Sequence, residues 1–251
     1  MDRLTVNTLW VGSPKLTPVE RFCLWSWVMQ GHRVVLHTYR QLTGVPFGVE
    51  QRNAVEVLPS AAIFRYGKKT GQYRGGYGAF ANLFRYALLE FPGGWWVDTD
   101  VVALQPLTEL DKRPYVFGWQ GNGLVCNAVM KLPPACPLGH RLREYAEKAG
   151  KNPKHGQTGP ALLTKLIKRL GLTEHVLQKR VLYPYGPDQW RRAWCSGGTV
   201  PGPDSYTLHL WNEKLRQAKW NKGKRYPADS VYEQLRKRYA YHEQEESDGP
   251  G

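Results

Sequence analysis

The sequence predicts an α/β protein: a single domain built on a mixed, mostly parallel sheet with flanking helices. Three observations lead there. Residues 6–39 read as strand, helix, strand, and a crossover of that length joins parallel neighbours. Residues 80–91 carry helical periodicity and run directly into a buried apolar stretch. The chain has 251 residues, 41% hydrophobic and 12% aromatic, with ten Trp and fourteen Tyr, which suffices for a substantial core and argues against disorder.

Composition also excludes classes. No apolar run approaches the roughly 20 residues that span a bilayer. The opening Met1-Asp2-Arg3-Leu4 is no signal peptide. Cys23, Cys126, Cys136 and Cys195 are scattered, without a Cys-x-x-Cys pair, so they read as reduced thiols of a cytoplasmic protein and not as a zinc site. Net charge is +14 and uneven. Residues 140–192 hold twelve Lys/Arg against four Asp/Glu, and residues 212–242 nine against three. Such a basic half suits a polyanion or is simply a solvated surface. Residues 243–251 are acidic with Gly and Pro, and read as a flexible tail after a domain spanning 1–242.

In chain order, residues 6–11 read as a strand ending at Gly12-Ser13-Pro14. Thr17-Pro18-Val19-Glu20 has the form of a capping box with Pro at the first helical position. The helix continues through Phe22, Leu24, Trp25 and Val28 and stops at Gly31. Residues 33–39 form the second strand. Ligands of such sheets sit beyond the carboxyl ends of the strands, where Trp10, Gly12 and Tyr39 lie; core packing is the competing role for the two aromatics. Residues 54–59 look like a third short strand. Residues 66–78 hold five glycines among Lys68, Lys69, Tyr73, Arg74 and Tyr77 without a Walker pattern, and form either a loop that closes over a site or a plain surface loop.

Phe80, Leu83, Phe84, Ala87, Leu88 and Phe91 mark an apolar helix face, with Arg85 beside it. Gly93-Gly94 turns the chain. Residues 95–104 then read as one buried strand interrupted by Asp98, Thr99 and Asp100. On a strand, i and i+2 share a face, so the two carboxylates meet. Most Asp-x-Asp triplets are solvated turns. This one lies between Trp95-Trp96-Val97 and Val101-Val102-Ala103-Leu104, where buried charge calls for a partner or a hard divalent cation.

Asn82-Leu83-Phe84-Arg85-Tyr86-Ala87-Leu88-Leu89 followed by Gly93-Gly94-Trp95-Trp96-Val97-Asp98-Thr99-Asp100 closely resembles the signature of the GT-A-fold glycosyltransferases of the "sugar-binding region containing DXD motif" family, which groups α-mannosyl-, α-1,4-galactosyl- and capsular or lipopolysaccharide sugar transferases. Leu9-Trp10-Val11-Gly12 and residues 31–39 are similar to its first two strands. The resemblance runs in order from about residue 6 to 132, and more weakly to 212. One departure is Asn82, where many members carry a donor-holding Asp. The resemblance implies that Asp98 and Asp100 hold Mn²⁺ or Mg²⁺ on the diphosphate of a sugar nucleotide, that Asn82 and Arg85 touch the donor sugar, and that Leu9, Trp10, Val11, Gly12 and Tyr39 line the nucleotide pocket.

Residues 114–119 and 124–130 read as further strands, the second interrupted by Asn127, whose amide needs a sugar hydroxyl or a backbone partner. Residues 137–149 form a basic helix. Gln157-Thr158-Gly159 precedes a helix at 161–170; the Thr caps it or, with its neighbours, lines the acceptor side. Residues 181–185 read as an edge strand leading to Asp188 and Gln189, which with Asn127 are candidates for stabilising an oxocarbenium-like centre. Residues 205–211 form a late strand, and the resemblance favours His209 as a third metal ligand. Imidazole suits Mn²⁺ better than Mg²⁺. Trp211, Lys219, Trp220 and Lys222 follow as a C-terminal clamp on the donor, and residues 229–241 as a last basic helix.

The resemblance implies a metal-dependent, retaining transferase that uses a nucleotide-diphosphate sugar, UDP-linked by expectation, and a hydroxyl acceptor. The acceptor stays open between a glycan or lipid-linked saccharide, with the basic half resting on an anionic membrane, and hydroxymethylated bases of DNA. The first predicts a cytoplasmic protein peripheral to the inner membrane face, the second a phage-encoded protein in host cytoplasm. A non-catalytic nucleic-acid-binding protein is the reading from another class.

Overall fold

The computed structural model describes residues 3–241 apart from 152 and 155. Strand β1 (Thr5–Trp10), helix α1 (Pro18–Met29) and strand β2 (Arg33–Thr38) form the expected crossover, with β1 and β2 parallel and in register from Thr5↔Arg33 to Trp10↔Thr38. The capping box is present: the Thr17 N–H donates to Glu20 Oε2 at 3.1 Å. Strand β3 (Val49–Asn53) follows, then helix α2 (Gly78–Leu89), strands β4 (Gly94–Val97) and β5 (Val101–Ala103), and the single-turn helix α3 (Thr108–Asp111). Strands β6 (Val116–Gly121) and β7 (Leu124–Leu132) lead to helices α4 (Pro137–Ala149) and α5 (Pro160–Arg169). Strand β8 (Val176–Leu177), the short helix α6 (Lys179–Leu182), strand β9 (Thr207–His209), and helices α7 (Asn212–Gln217) and α8 (Val231–Arg238) complete the chain.

The large sheet has the order β3-β2-β1-β4-β7-β6-β8, and only its antiparallel β7 breaks a parallel array. Strands β5 and β9 form a separate antiparallel pair. The mixed, mostly parallel α/β architecture read from the sequence is the one observed. Successive strand residues face opposite sides, and Trp95 and Trp96 divide accordingly. Trp95 joins the core of Phe22, Trp27, Val34 and Val129 under α1, and Trp96 joins that of Phe80, Phe84, Tyr86, Leu142 and Ile167 under α2 and α4.

Gly93 shows why this chain turns where it does. Its φ is +64°, and a Cβ there would stand 2.6 Å from Leu132 O, so only glycine lets the α2–β4 turn pack against the end of β7.

Five local expectations are corrected. Residues 54–59 are not a strand: the edge strand lies earlier, at Val49–Asn53, and Asn53 then accepts from Val55 N–H to start a 3₁₀ turn that sends Ala54 into the core. Residues 95–104 are not one strand: the Asp98 N–H donates to Ala128 O at 2.7 Å and Val101 N–H to Asp98 O at 3.1 Å, which closes a turn and hands β5 to the second sheet. The face of α2 is rotated: Asn82, Arg85 and Tyr86 are buried, while Phe91 lies beyond the helix end and is 66% exposed. Residues 181–185 are no edge strand: that edge is taken by β8, and the segment is instead pinned by Tyr183, whose hydroxyl accepts from Val129 N–H at 2.8 Å. Thr158 caps nothing, because Gly159 is the N-cap of α5 and the Thr158 hydroxyl accepts from Asn82 instead.

The acidic stretch 243–251 lies outside the described residues. Among the described residues no helix is long and apolar enough to cross a membrane. Cys23, Cys126 and Cys136 are buried free thiols and Cys195 an exposed one.

Candidate functional site

A cavity of about 810 Å³ opens where β1 and β4 end, as expected for a parallel sheet. Leu9, Trp10, Val11 and Gly12 line it from the end of β1, and Asn82 and Arg85 from α2. Asp98, Thr99 and Asp100 come from the turn after β4, and Cys126, Asn127 and Ala128 from β7. His209 and Trp211 enter from the end of β9.

Asp98, Asp100 and His209 each bring one ligand atom to within 4.8 Å of the others, the one such cluster of acids, His and Cys among the described residues. The carboxylates converge through a turn, not through the i, i+2 geometry of a strand. Asp98 Oδ1 accepts from Arg85 Nη2 and from Trp96 Nε1, both at 2.6 Å. The Arg85 guanidinium is 3% exposed, stacks over Trp96 at 4.9 Å and also donates through Nη1 to Asn127 O. Asp100 Oδ2 lies 3.1 Å from His209 Nε2 and accepts from the Asn212 backbone N–H at 2.7 Å.

The two carboxyls titrate apart. Withdrawal from water raises Asp98 above its ordinary value, against the pull of Arg85 and with the push of Asp100. Burial acts in the same sense on Asp100, but the His209 ring and the Asn212 N–H outweigh it and hold that carboxyl low. Burial opposes a charged His209, yet the neighbouring Asp100 carboxylate lifts its pKa to about 10. The set fits a divalent cation: two carboxylates and an imidazole are donors such an ion takes, and His209 Nδ1 and Asn212 Oδ1 are buried without a hydrogen-bond partner beside it.

A neutral hydrogen-bonded group forms the floor beneath. Asn127 Nδ2 donates to Asn82 Oδ1 at 2.9 Å and to the Tyr86 hydroxyl at 3.0 Å. Asn82 Nδ2 donates to Thr158 Oγ1 at 3.2 Å, and the Tyr86 hydroxyl donates to Thr158 O at 2.9 Å.

Other sequence candidates fall differently. Gly159 lines the cavity, Thr158 is buried behind it, and Gln157 is exposed with its Oε1 taken by Lys154 N–H. Tyr39 lines a smaller adjoining cavity of about 140 Å³ with Trp10, Gly12 and Tyr77, its hydroxyl bonded to Leu58 O. Asp188 is exposed and bonded by Asn122, and Gln189 is held by Lys179 Nζ at 2.9 Å, so neither lines the cavity. Lys219 is exposed and Trp220 packs on Trp190 and Tyr226, away from the lining. The C-terminal contribution comes from α7 instead, through Asn212, Glu213, Lys214, Arg216 and Gln217.

Sequence reasoning missed α7, Gln120 and Cys126. It named Tyr73 and Tyr77 in the glycine-rich stretch, and both line the cavity, with Arg65 stacked 4.6 Å over Tyr77. The signal for α7 was Trp211-Asn212-Glu213-Lys214, polar residues directly after the strand that carries His209.

The mostly parallel sheet and the Asp98, Asp100 and His209 cluster at its strand ends are what the resemblance to GT-A-fold glycosyltransferases led one to expect. No protein-family model matches the chain. Among curated proteins the chain is similar to alpha-1,4-N-acetylglucosaminyltransferase of Homo sapiens, 26% identical over 149 residues that make up 54% of this chain and 43% of that protein. The chain thus spans less than half the length of that relative. Among solved structures it is similar to mouse xyloside xylosyltransferase 1 in its apo form, with 12% identity, 83% of this chain and 97% of that one covered, and a TM-score of 0.44. It is also similar to the glycosyltransferase GlyE of Streptococcus pneumoniae, with 14% identity, 97% and 66% covered, and a TM-score of 0.45.

Proposed function

We propose that this chain, as one catalytic domain over residues 1–242, is a divalent-metal-dependent, retaining glycosyltransferase that moves a sugar from a nucleotide-diphosphate donor of the UDP-sugar class to a hydroxyl of a glycan or lipid-linked saccharide. The observation that carries this reading is the convergence of Asp98, Asp100 and His209 in the cavity at the sheet's carboxyl edge. Those three side chains would hold the ion, which when bound supplies charge neutralisation for the leaving diphosphate.

The chain's own residues supply the rest. Arg85 keeps Asp98 fixed by a charge-assisted bond and offsets its charge. Trp10, Tyr73 and Tyr77 offer aromatic walls to a base or sugar ring, and Lys214 and Arg216 bring positive charge to the rim. Asn82 and Asn127 present amides to sugar hydroxyls from the floor. In the transfer, the acceptor oxygen bonds to the anomeric carbon as that carbon's bond to the phosphate oxygen breaks. The acceptor proton passes to the departing phosphate oxygen on the same face. That route needs no side-chain base, in keeping with Glu213, whose carboxylate is held by Arg216 at 2.5 Å.

The test is release of nucleotide from a panel of UDP-sugars and other nucleotide sugars in the presence of Mn²⁺. Metal-dependent release that disappears in Asp100→Ala is the expected result, and a saccharide acceptor should accelerate it. Acceleration by hydroxymethylated duplex DNA in its place would move the acceptor to nucleic acid. A folded protein that turns over no donor would sink the catalytic reading.

A further inference from the structure

We propose that Glu20, at the far end of the chain from the metal-ligand cluster, is a positioning residue for Asp100, acting through Asn212; the proposal deepens the metal-dependent reading above. Glu20 begins as the capping-box acid of α1. Such an acid needs one oxygen, and here Oε2 takes the Thr17 backbone N–H at 3.1 Å and the Thr17 hydroxyl. The other oxygen reaches across 192 residues of chain. Oε1 accepts from Asn212 Nδ2 at 2.7 Å and from Lys222 Nζ. The Glu20 side chain is 0% exposed, and a carboxylate so fully withdrawn from water persists only where every lone pair is used and a cation stands beside it.

What Glu20 holds is the segment that shapes the site. Trp211 sits in the left-handed region at φ 57° and ψ 54°, a conformation uncommon for a bulky residue and maintained only where the surroundings over-determine it. Its indole Nε1 donates to Tyr185 O at 2.9 Å on one side, and Asn212 is clamped by Glu20 on the other. That turn aims the Asn212 N–H at Asp100 Oδ2. It also leaves Asn212 Oδ1 buried without a hydrogen-bond partner in a residue that lines the cavity. The path is therefore Glu20 to the Asn212 amide, and the Asn212 backbone to the Asp100 carboxylate. Outer partners of this kind orient the groups that ligate a metal, and their loss typically weakens metal affinity by about ten- to a hundredfold.

The test replaces the buried pair together, Glu20→Gln with Lys222→Met, so that no unpaired charge is left inside the fold. Two quantities are measured on the protein without donor: Mn²⁺ affinity, from the paramagnetic resonance signal of the free ion, and hydrogen exchange of the Asn212 amide. The proposal expects Mn²⁺ affinity about tenfold weaker and faster Asn212 exchange. Thr17→Ala, which removes only the cap hydroxyl, should lower the melting temperature and leave both readouts at the wild-type value. Wild-type Mn²⁺ affinity and Asn212 protection in a folded Glu20→Gln/Lys222→Met protein would overturn the proposal and leave Glu20 a structural staple. A wild-type protein that binds no Mn²⁺ would instead end the metal-dependent reading, while Asn212 exchange still decides whether Glu20 positions the turn.

Discussion

Arg85 Nη2 stands 2.6 Å from Asp98 Oδ1, and the two residues meet because α2 buries Arg85 next to Phe84, whose ring packs on Trp96 of β4. The pair ties the charge of the Asp-x-Asp turn to the helix before it, with the Arg85 side chain 3% and the Asp98 side chain 27% exposed. Arg85→Met removes the cation bonded to Asp98, the only one among the described residues. Breaking a buried pair from one side costs about 3 kcal/mol. Urea unfolding should show a loss of that order, and nucleotide release should fall with it.

Asn82 accepts from Asn127 and donates to Thr158, and an aspartate of the same shape can accept from both, since the Thr158 hydroxyl can turn its proton. Asn82→Asp should therefore fold with a melting temperature close to wild type and change the order of preference across a panel of donor sugars. An unchanged donor profile would separate Asn82 from sugar recognition.

Gly93→Ala places a methyl group 2.6 Å from Leu132 O at φ +64°. Both the clash and the backbone conformation oppose it, and together they should cost about 2 kcal/mol or more in equilibrium unfolding. Gly71, also at positive φ but with open space around it, should lose less on the same change.

Arg216 Nη2 donates to Gln72 O at 2.7 Å, so α7 holds the glycine-rich segment at the cavity rim. Arg216→Ala removes that tie. Limited trypsin digestion should then cut faster after Lys68 or Arg74, and the KM for donor should rise more than kcat falls. Equal cutting rates in variant and wild type would mean the segment is held by other contacts.

His37 is buried between Asn7 and Phe84, and burial, helped by Arg52, lowers its pKa to about 4. The imidazole is neutral in the fold through the range in which the unfolded chain, with its ordinary value of 6.5, takes up a proton. Above pH 6.5 it is neutral in both states and has no effect. As pH falls from about 6.5 to about 4 the unfolded state gains protons the fold does not, and stability drops by up to about 3 kcal/mol, flat below that. Denaturant titrations of wild type and His37→Gln over this window should diverge with that sign.

The pattern that local physics controls was legible. The crossover of β1, α1 and β2, the capping box at Thr17 and Glu20, the extent of α4 and the two aspartates all follow from periodicity and short-range chemistry. Where the reading failed, a distant partner decided. Residues 95–104 have the apolar content of one strand, but the Val101 N–H turns back onto Asp98 O and β5 leaves the ladder to pair with the distant β9. Arg85 is buried on a face that helical periodicity marks as secondary, because Asp98 and Asn127 O wait there.

By itself the sequence determined that this chain would form a mostly parallel α/β sheet with an Asp-x-Asp set among buried apolar residues, because alternation, caps and glycine turns act over a few residues. Only the tertiary structure decided that Asn212 would close on Asp100, that Glu20 would reach Asn212 across 192 residues, and that α7 rather than Lys219 and Trp220 would wall the cavity. Those contacts depend on where two sheets and the C-terminal segment come to rest against one another. That placement is set by burial of the whole core, and no local pattern encodes it.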